Sequence, residues 1–76
     1  MLGLLSAMGL RQTVAKNLKR LRQEKELSQE ELADRAEINR NYVGMIERAE
    51  NSASVDMLEK LAQALGAKPV EFFRDD

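Results

Sequence analysis

Apolar residues recur at helical spacing in four stretches, each separated from the next by a polar break. Val14, Leu18 and Leu21 stand three or four residues apart, with Leu27 beyond a short break. This spacing predicts about three turns of amphipathic helix, its outer face carrying Lys16, Lys19, Arg20 and Lys25. Ser28-Gln29-Glu30-Glu31 then reads as a capping box. The Ser28 hydroxyl can satisfy an orphan amide, Glu31 can reach back, and both acids suit the positive end of a helix. A second helix therefore starts here and buries Leu32, Ala33 and Ala36. It is short, because Ile38 is an apolar plug and Asn39 a new N-cap. The third helix runs from Arg40 to about Arg48, with Val43 and Ile46 toward the core and Arg40, Asn41, Gly44 and Arg48 left for the other faces. Residues 49–53 form a loop, and Ser54 caps a fourth helix with Asp56 in its first turn and Leu58, Leu61, Ala62 and Leu65 as its buried stripe. Gly66 ends it, and Pro69 opens a short final helix with Val70, Phe72 and Phe73. The prediction is an all-α compact bundle of about five helices with no strand.

With 76 residues there is room for one domain, divided here into an apolar N-terminal extension (1–10) and a folded unit (11–76). Cysteine is absent, which removes disulfides, thiolate metal sites and thiol nucleophiles. Histidine is absent too, and with it the commonest general base and metal ligand. Catalysis would need paired carboxylates in a cleft, yet the acids fall at caps and on outer helix faces, so the chain does not read as an enzyme and calls for no cofactor. A net charge of −1 argues against non-specific coating of nucleic acid, but the charge is uneven. Residues 11–48 hold nine Lys/Arg against seven Asp/Glu, and residues 49–76 hold three against six. The uncharged stretch 1–10 lacks a basic flank and is too short for a signal peptide or membrane span, which fits a cytoplasmic protein. Its second methionine, in the pair Met8-Gly9, suggests an optional start or a small dimer arm, and the stretch is expected to be dispensable.

Two short helices joined by a tight turn, between a longer helix and a packing helix, form the arrangement that presents one helix to a DNA major groove. The residues that build it are Leu27-Ser28-Gln29-Glu30-Glu31-Leu32-Ala33, Ile38-Asn39-Arg40-Asn41-Tyr42-Val43, Ile46-Glu47-Arg48 and Leu58 through Gly66. Over roughly residues 14–73 this pattern resembles the Cro and phage-repressor class of helix-turn-helix domains, the xenobiotic-response-element family with its lambda-repressor-like fold. Within it, Arg40-Asn41-Tyr42 and the Glu47-Arg48 pair most resemble the controller proteins of restriction-modification systems. The resemblance implies a transcriptional regulator that binds double-stranded operator DNA as a homodimer.

It also implies roles for individual positions. Ser28 and Gln29, at the amino end of the second helix, would hold a phosphate, with Gln29 also buttressing the reading helix. Arg40 and Asn41 would meet base edges, since arginine can fork onto guanine and asparagine onto adenine. Gly44 and Met45 fall on the same reading surface, the glycine permitting close approach and the methionine able to touch a thymine methyl. Tyr42, Arg48, Asn51 and Ser52 would touch the sugar-phosphate backbone, and Arg22 with Glu47 would form a structural salt bridge. Phe72 and Phe73 are expected at a dimer interface, on the reasoning that so small a core buries one aromatic and leaves the other for a symmetry mate.

Plainer readings stand beside these. Arg40 taken alone is a solvated charge, Tyr42 covers the core edge, and Arg48 compensates the negative end of its helix. The whole chain also fits an antitoxin-like or adaptor module that holds a protein with the same fold. An acidic or apolar patch around Gln29, Arg40 and Asn41 would favour that reading. The sequence departs from the family at Glu37, which stands where the turn commonly has glycine. A left-handed backbone there would cost about 1–2 kcal/mol.

Overall fold

The computed structural model describes the backbone of residues 2–75 and the side chains of residues 9–75. Helices α1 (Leu2–Glu24), α2 (Gln29–Ala36), α3 (Arg40–Glu47) and α4 (Val55–Leu65) are followed by a 3-10 helix at Pro69–Phe73, and no strand occurs among the described residues. The predicted fifth helix is thus a single 3-10 element. Five residues opened by a proline leave little room for i to i−4 bonds, and Glu71 N–H instead donates to Lys68 C=O at 2.9 Å. The first element is two helical runs joined at Gly9, and the second run carries the predicted apolar stripe. Its backbone leaves helical geometry at Gly9 (φ 78°, ψ 157°) and is regular beyond it. The expected roles of residues 1–8 rest on side chains that lie outside the described residues.

Each element contributes a large apolar side chain with no exposed surface to a common core: Leu18, Leu32, Val43, Leu61 and Phe72. Around them lie Val14, Leu21, Leu27, Ala33, Ala36, Ile46, Ala62 and Leu65, with Leu58 partly buried against the cluster. These are the positions that the periodicity selects, because a helix face repeating every 3.6 residues has one side to turn inward. The aromatic pair divides as the small core requires. Phe72 has no exposed surface within the single chain, whereas Phe73 is 44% exposed. This corrects the expectation for Phe72 at a dimer surface: its ring fills the monomer's own core. Val70, taken with the last helix's apolar residues, is 65% exposed.

Asn17 fixes this C-terminal segment. Its buried amide nitrogen donates to the carbonyls of Phe72 (2.8 Å) and Arg74 (2.6 Å), as well as to Thr13 C=O one turn back (3.0 Å). Its oxygen accepts from Arg20, at 3.1 Å from Nη2. A buried amide costs free energy unless satisfied, and here both ends are. The Phe72 and Arg74 carbonyls lie more than fifty residues away in sequence, so these two bonds also decide where Phe72 and Phe73 sit.

All four helices end in the same way. A residue in left-handed conformation follows the last turn, and the next N–H reaches back five residues: Leu27 to Arg22 C=O (3.1 Å), Ile38 to Ala33 (3.0 Å), Glu50 to Met45 (2.9 Å) and Ala67 to Ala62 (2.9 Å). This is the Schellman geometry, which satisfies carbonyls that the helix leaves open. Gly66 takes the left-handed position after α4 without strain, but Glu26, Glu37 and Ala49 take it with φ near 58°, 59° and 57°. In the turn between α2 and α3 the backbone is therefore left-handed without a glycine to ease it. Relief of Cβ strain outweighs the greater freedom that glycine adds to the unfolded chain, so Glu37→Gly should stabilise the protein by roughly 0.5–1 kcal/mol. The midpoint of urea unfolding measures this, and an unchanged or lower midpoint contradicts it.

Candidate nucleic-acid interface

The sequence places two helix starts close together, α2 at Ser28 and α3 at Asn39, and each has a side-chain cap. The Ser28 hydroxyl accepts from Glu31 N–H (3.0 Å), while the Glu31 carboxylate accepts from Ser28 N–H (2.8 Å). Hydrogen bonding from Ser28, first from its backbone amide and then from its side chain, holds the Glu31 carboxyl below its ordinary pKa. At α3 the Asn39 side-chain oxygen accepts from Asn41 N–H (2.8 Å). Both caps orient the first turns that carry the polar side chains of the site.

An open concavity of about 710 Å³ lies between these turns, lined by Ser28, Gln29, Arg40, Asn41, Gly44, Met45 and Arg48, together with Arg22 and Glu30. Seven expected contact residues thus share one surface. Tyr42, Asn51 and Ser52 do not join it. They line a separate shallow depression with Ile46 and Met57, on the side where α3 runs into the following loop.

Behind the concavity stands a carboxylate. The Glu47 side chain is only 4% exposed, and it accepts from Arg22 Nε (2.6 Å), Arg22 Nη2 (3.0 Å) and Gln29 Nε2 (3.0 Å). The expected Arg22–Glu47 bridge is present as a two-toothed pair, and the bond to Glu47 raises the arginine's pKa. The remaining arm, Arg22 Nη1, donates to Leu27 C=O (2.7 Å). One carboxylate therefore ties the end of α1 and the start of α2 to the end of α3. Gln29 buttresses the third helix through this bond, which uses one of its two amide hydrogens.

Gly44 has a structural place that differs from its expected role at base edges. It is buried, and a Cβ there would lie 3.0 Å from Arg48 Nη1 and 3.4 Å from Gln29 Oε1. The missing side chain makes room for these two to lie across α3. Met45 is half-buried at the same surface, and Arg40 and Asn41 are exposed.

Two acids complete the surface, and neither was singled out as a site residue. Glu30 Oε2 lies 3.4 Å from Arg40 Nη1, and Glu50 takes a two-toothed bond from Arg48 at 2.9 and 3.2 Å. That bond raises the Arg48 pKa and lowers that of Glu50. Glu30 and Arg40 are ten residues apart on different helices, so no periodicity of a single helix links them.

Residues 18–73, well over half of the chain, match the family model described as Helix-turn-helix. The chain belongs to the helix-turn-helix family. It is 42% identical over 64 residues to the uncharacterized HTH-type transcriptional regulator y4dJ of Sinorhizobium fredii, a match covering 84% of this chain and 83% of the relative. The restriction-modification controller protein C.AhdI from Aeromonas hydrophila superposes with a TM-score of 0.80 at 40% identity, covering 83% of this chain and 96% of that one. The controller protein C.Esp1396I, solved as a tetramer in complex with its natural 35 base-pair operator, superposes at 0.77 with 33% identity and 84% of each chain covered. In this helix-turn-helix chain α2 and α3 are the paired helices, and the Glu47 network fixes their mutual orientation. Among the described residues no helix is long and apolar enough to cross a membrane.

Removing the central carboxylate leaves the Arg22 guanidinium enclosed without a counter-charge. Glu47→Ala should therefore cost about 3 kcal/mol of stability, the range found when one partner of a buried pair is deleted. Thermal or urea unfolding checks this, and a loss below about 1 kcal/mol, typical of an exposed pair, would contradict the central role given to Glu47.

Proposed function

We propose that this helix-turn-helix chain is a sequence-specific transcriptional regulator of the cytoplasm that binds double-stranded operator DNA as a homodimer, with residues 11–76 as the DNA-binding unit. The observation that carries the reading is the single polar concavity joining the amino end of α2 to the exposed face of α3. α3 enters the major groove, where Arg40 and Asn41 reach base edges and Met45 offers an apolar contact to a thymine methyl. Ser28, Gln29 and Arg48 hold phosphate along one side, aided by the positive end of α2. Tyr42, Asn51 and Ser52, on their separate depression, meet the backbone farther along. The operator complex of C.Esp1396I supports this arrangement by likeness. The residues lining this face include Arg22, Arg40 and Arg48 against one acid, Glu30, a balance that favours DNA over a protein partner here.

Dimerisation uses a different face. An apolar groove of about 290 Å³ is lined by Leu10, Val55, Leu58 and Phe73, with Asn51 and Ser52 at its edge. Leu10, Val55 and Phe73 are 59%, 81% and 44% exposed in the single chain. A second copy applied by two-fold symmetry covers this patch and sets two reading helices against two half-sites, which one domain cannot read with useful selectivity. Phe73→Asp should shift the chain from dimer to monomer in sedimentation at micromolar concentration. Because Phe73 is not a core residue, melting of the monomeric fold should stay nearly unchanged. A variant that remains dimeric excludes this face.

Base reading and phosphate holding respond differently to sequence. Arg40→Ala should cost about 1–3 kcal/mol on a site selected by the protein, and much less once the contacted base pair is changed. Arg48→Ala should weaken selected and unrelated duplexes alike and lower the slope of log affinity against log salt by about one per half-site. Titrations of both variants, first shown to fold and dimerise, test the assignment at fixed ionic strength. An Arg40→Ala loss that is equal on every sequence removes the base-reading role from Arg40 and passes it to Asn41 and Met45.

A further inference from the structure

Each arginine on the proposed DNA face is already engaged by an acid. Arg22 is held by Glu47, Arg48 by Glu50 at 2.9 Å and Arg40 by Glu30 at 3.4 Å. The first pair is enclosed and ties helices together, but the other two are open, with side chains 54–67% exposed. Open ion pairs add little to stability, and although Glu30 in the first turn of α2 suits the positive end of that helix, neither effect requires carboxylates paired with Arg40 and Arg48 on a surface that must approach phosphates. Glu30 differs from Glu50 in what it holds, since Arg40 stands at the start of the reading helix and Arg48 at its far end.

We propose that Glu30 is a specificity-determining positioning residue, which keeps the Arg40 guanidinium directed along the groove face and away from phosphate. The proposal rests on the DNA-binding reading above and deepens it. A guanidinium has five N–H donors in a rigid fork, so Arg40 can keep one N–H toward Glu30 while it presents others to a base edge. On a matching site the pair persists and Glu30 costs little. On unrelated DNA the best use of Arg40 is a phosphate, and reaching it means leaving Glu30 and bringing the backbone's negative charge toward an unpaired carboxylate. The acid therefore penalises the wrong mode selectively, and specificity is a difference between two affinities. Glu50 serves as the internal comparison. Its partner Arg48 is assigned to phosphate in every mode, so Glu50 weakens selected and unrelated DNA equally.

The test uses the full chain, a duplex selected by it from random sequence, and an unrelated duplex of the same length and composition, all at one salt concentration. Glu30→Gln should raise affinity for the unrelated duplex about threefold or more and leave the selected duplex within about twofold, so the specificity ratio falls. In an Arg40→Ala background the same substitution should no longer change the ratio, because the acid acts through that arginine. Glu50→Gln should raise both affinities by the same factor. Melting of each variant confirms that the fold is intact, which is expected because both acids are exposed. Equal changes on both duplexes, no change on either, an undiminished effect of Glu30→Gln without Arg40, or an equal fall in the ratio with Glu50→Gln each overturn the proposal while leaving the DNA-binding reading intact. A wild-type chain that binds no duplex overturns both.

Discussion

The Glu47 carboxylate is the constraint on which the arrangement of the molecule depends. A charge with 4% of its side chain exposed is tolerated only with its lone pairs filled, and the donors that fill them belong to Arg22 on α1 and Gln29 on α2. Three helices therefore share one electrostatic requirement, which the apolar core alone does not impose. Hydrophobic burial is non-directional and would accept a range of rotations of α3 about its axis. The two-toothed arginine bond and the glutamine bond accept few. Support from behind by residues that are themselves held makes the exposed face of α3 a fixed surface, as a recognition site requires.

At the other end of the bundle, Asn17 does comparable work for the C-terminal segment. By bonding the carbonyls of Phe72 and Arg74 it sets a short 3-10 turn that α-helical bonding could not have held. The turn places adjacent phenylalanines in opposite environments, one filling the core and one at the rim of the apolar groove. A polar face beside α2 and α3 and an apolar groove beside α1 and α4 therefore lie close together on a very small body, with Asn51 and Ser52 lining both the groove and the depression beside Tyr42. Three left-handed residues that are not glycine show that some stability is given up at the helix ends, and the apolar C-terminal neighbours Leu27 and Ile38 offset part of it by packing back onto the core.

The balance of charge on the polar face has the same local character. A near-neutral chain presents a few well-placed cations and no strong overall field. Where each of those cations has its own acid, short-range geometry decides which contacts form.

Much of this was legible along the chain because helix periodicity and capping are local. The apolar spacing located the core face of every α-helix, Ser28, Asn39 and Ser54 marked three starts, and Gly66 marked an end, since each signal depends on residues within one or two turns. The Arg22–Glu47 bridge was anticipated through the family likeness, and its depth and its link to Gln29 emerged only from packing. Other features had no local signal. The burial of Phe72 in place of Phe73 depends on Asn17 more than fifty residues away, and the buried position of Gly44 depends on side chains from two helices crossing it. The Glu30–Arg40 pair spans a turn whose left-handed residue, Glu37, carries no glycine to announce it. By itself the sequence determined the helices, their inward faces and the family. Tertiary structure decided which polar side chains meet, because a hydrogen bond or ion pair between helices depends on distances of a few ångströms that only their packing sets.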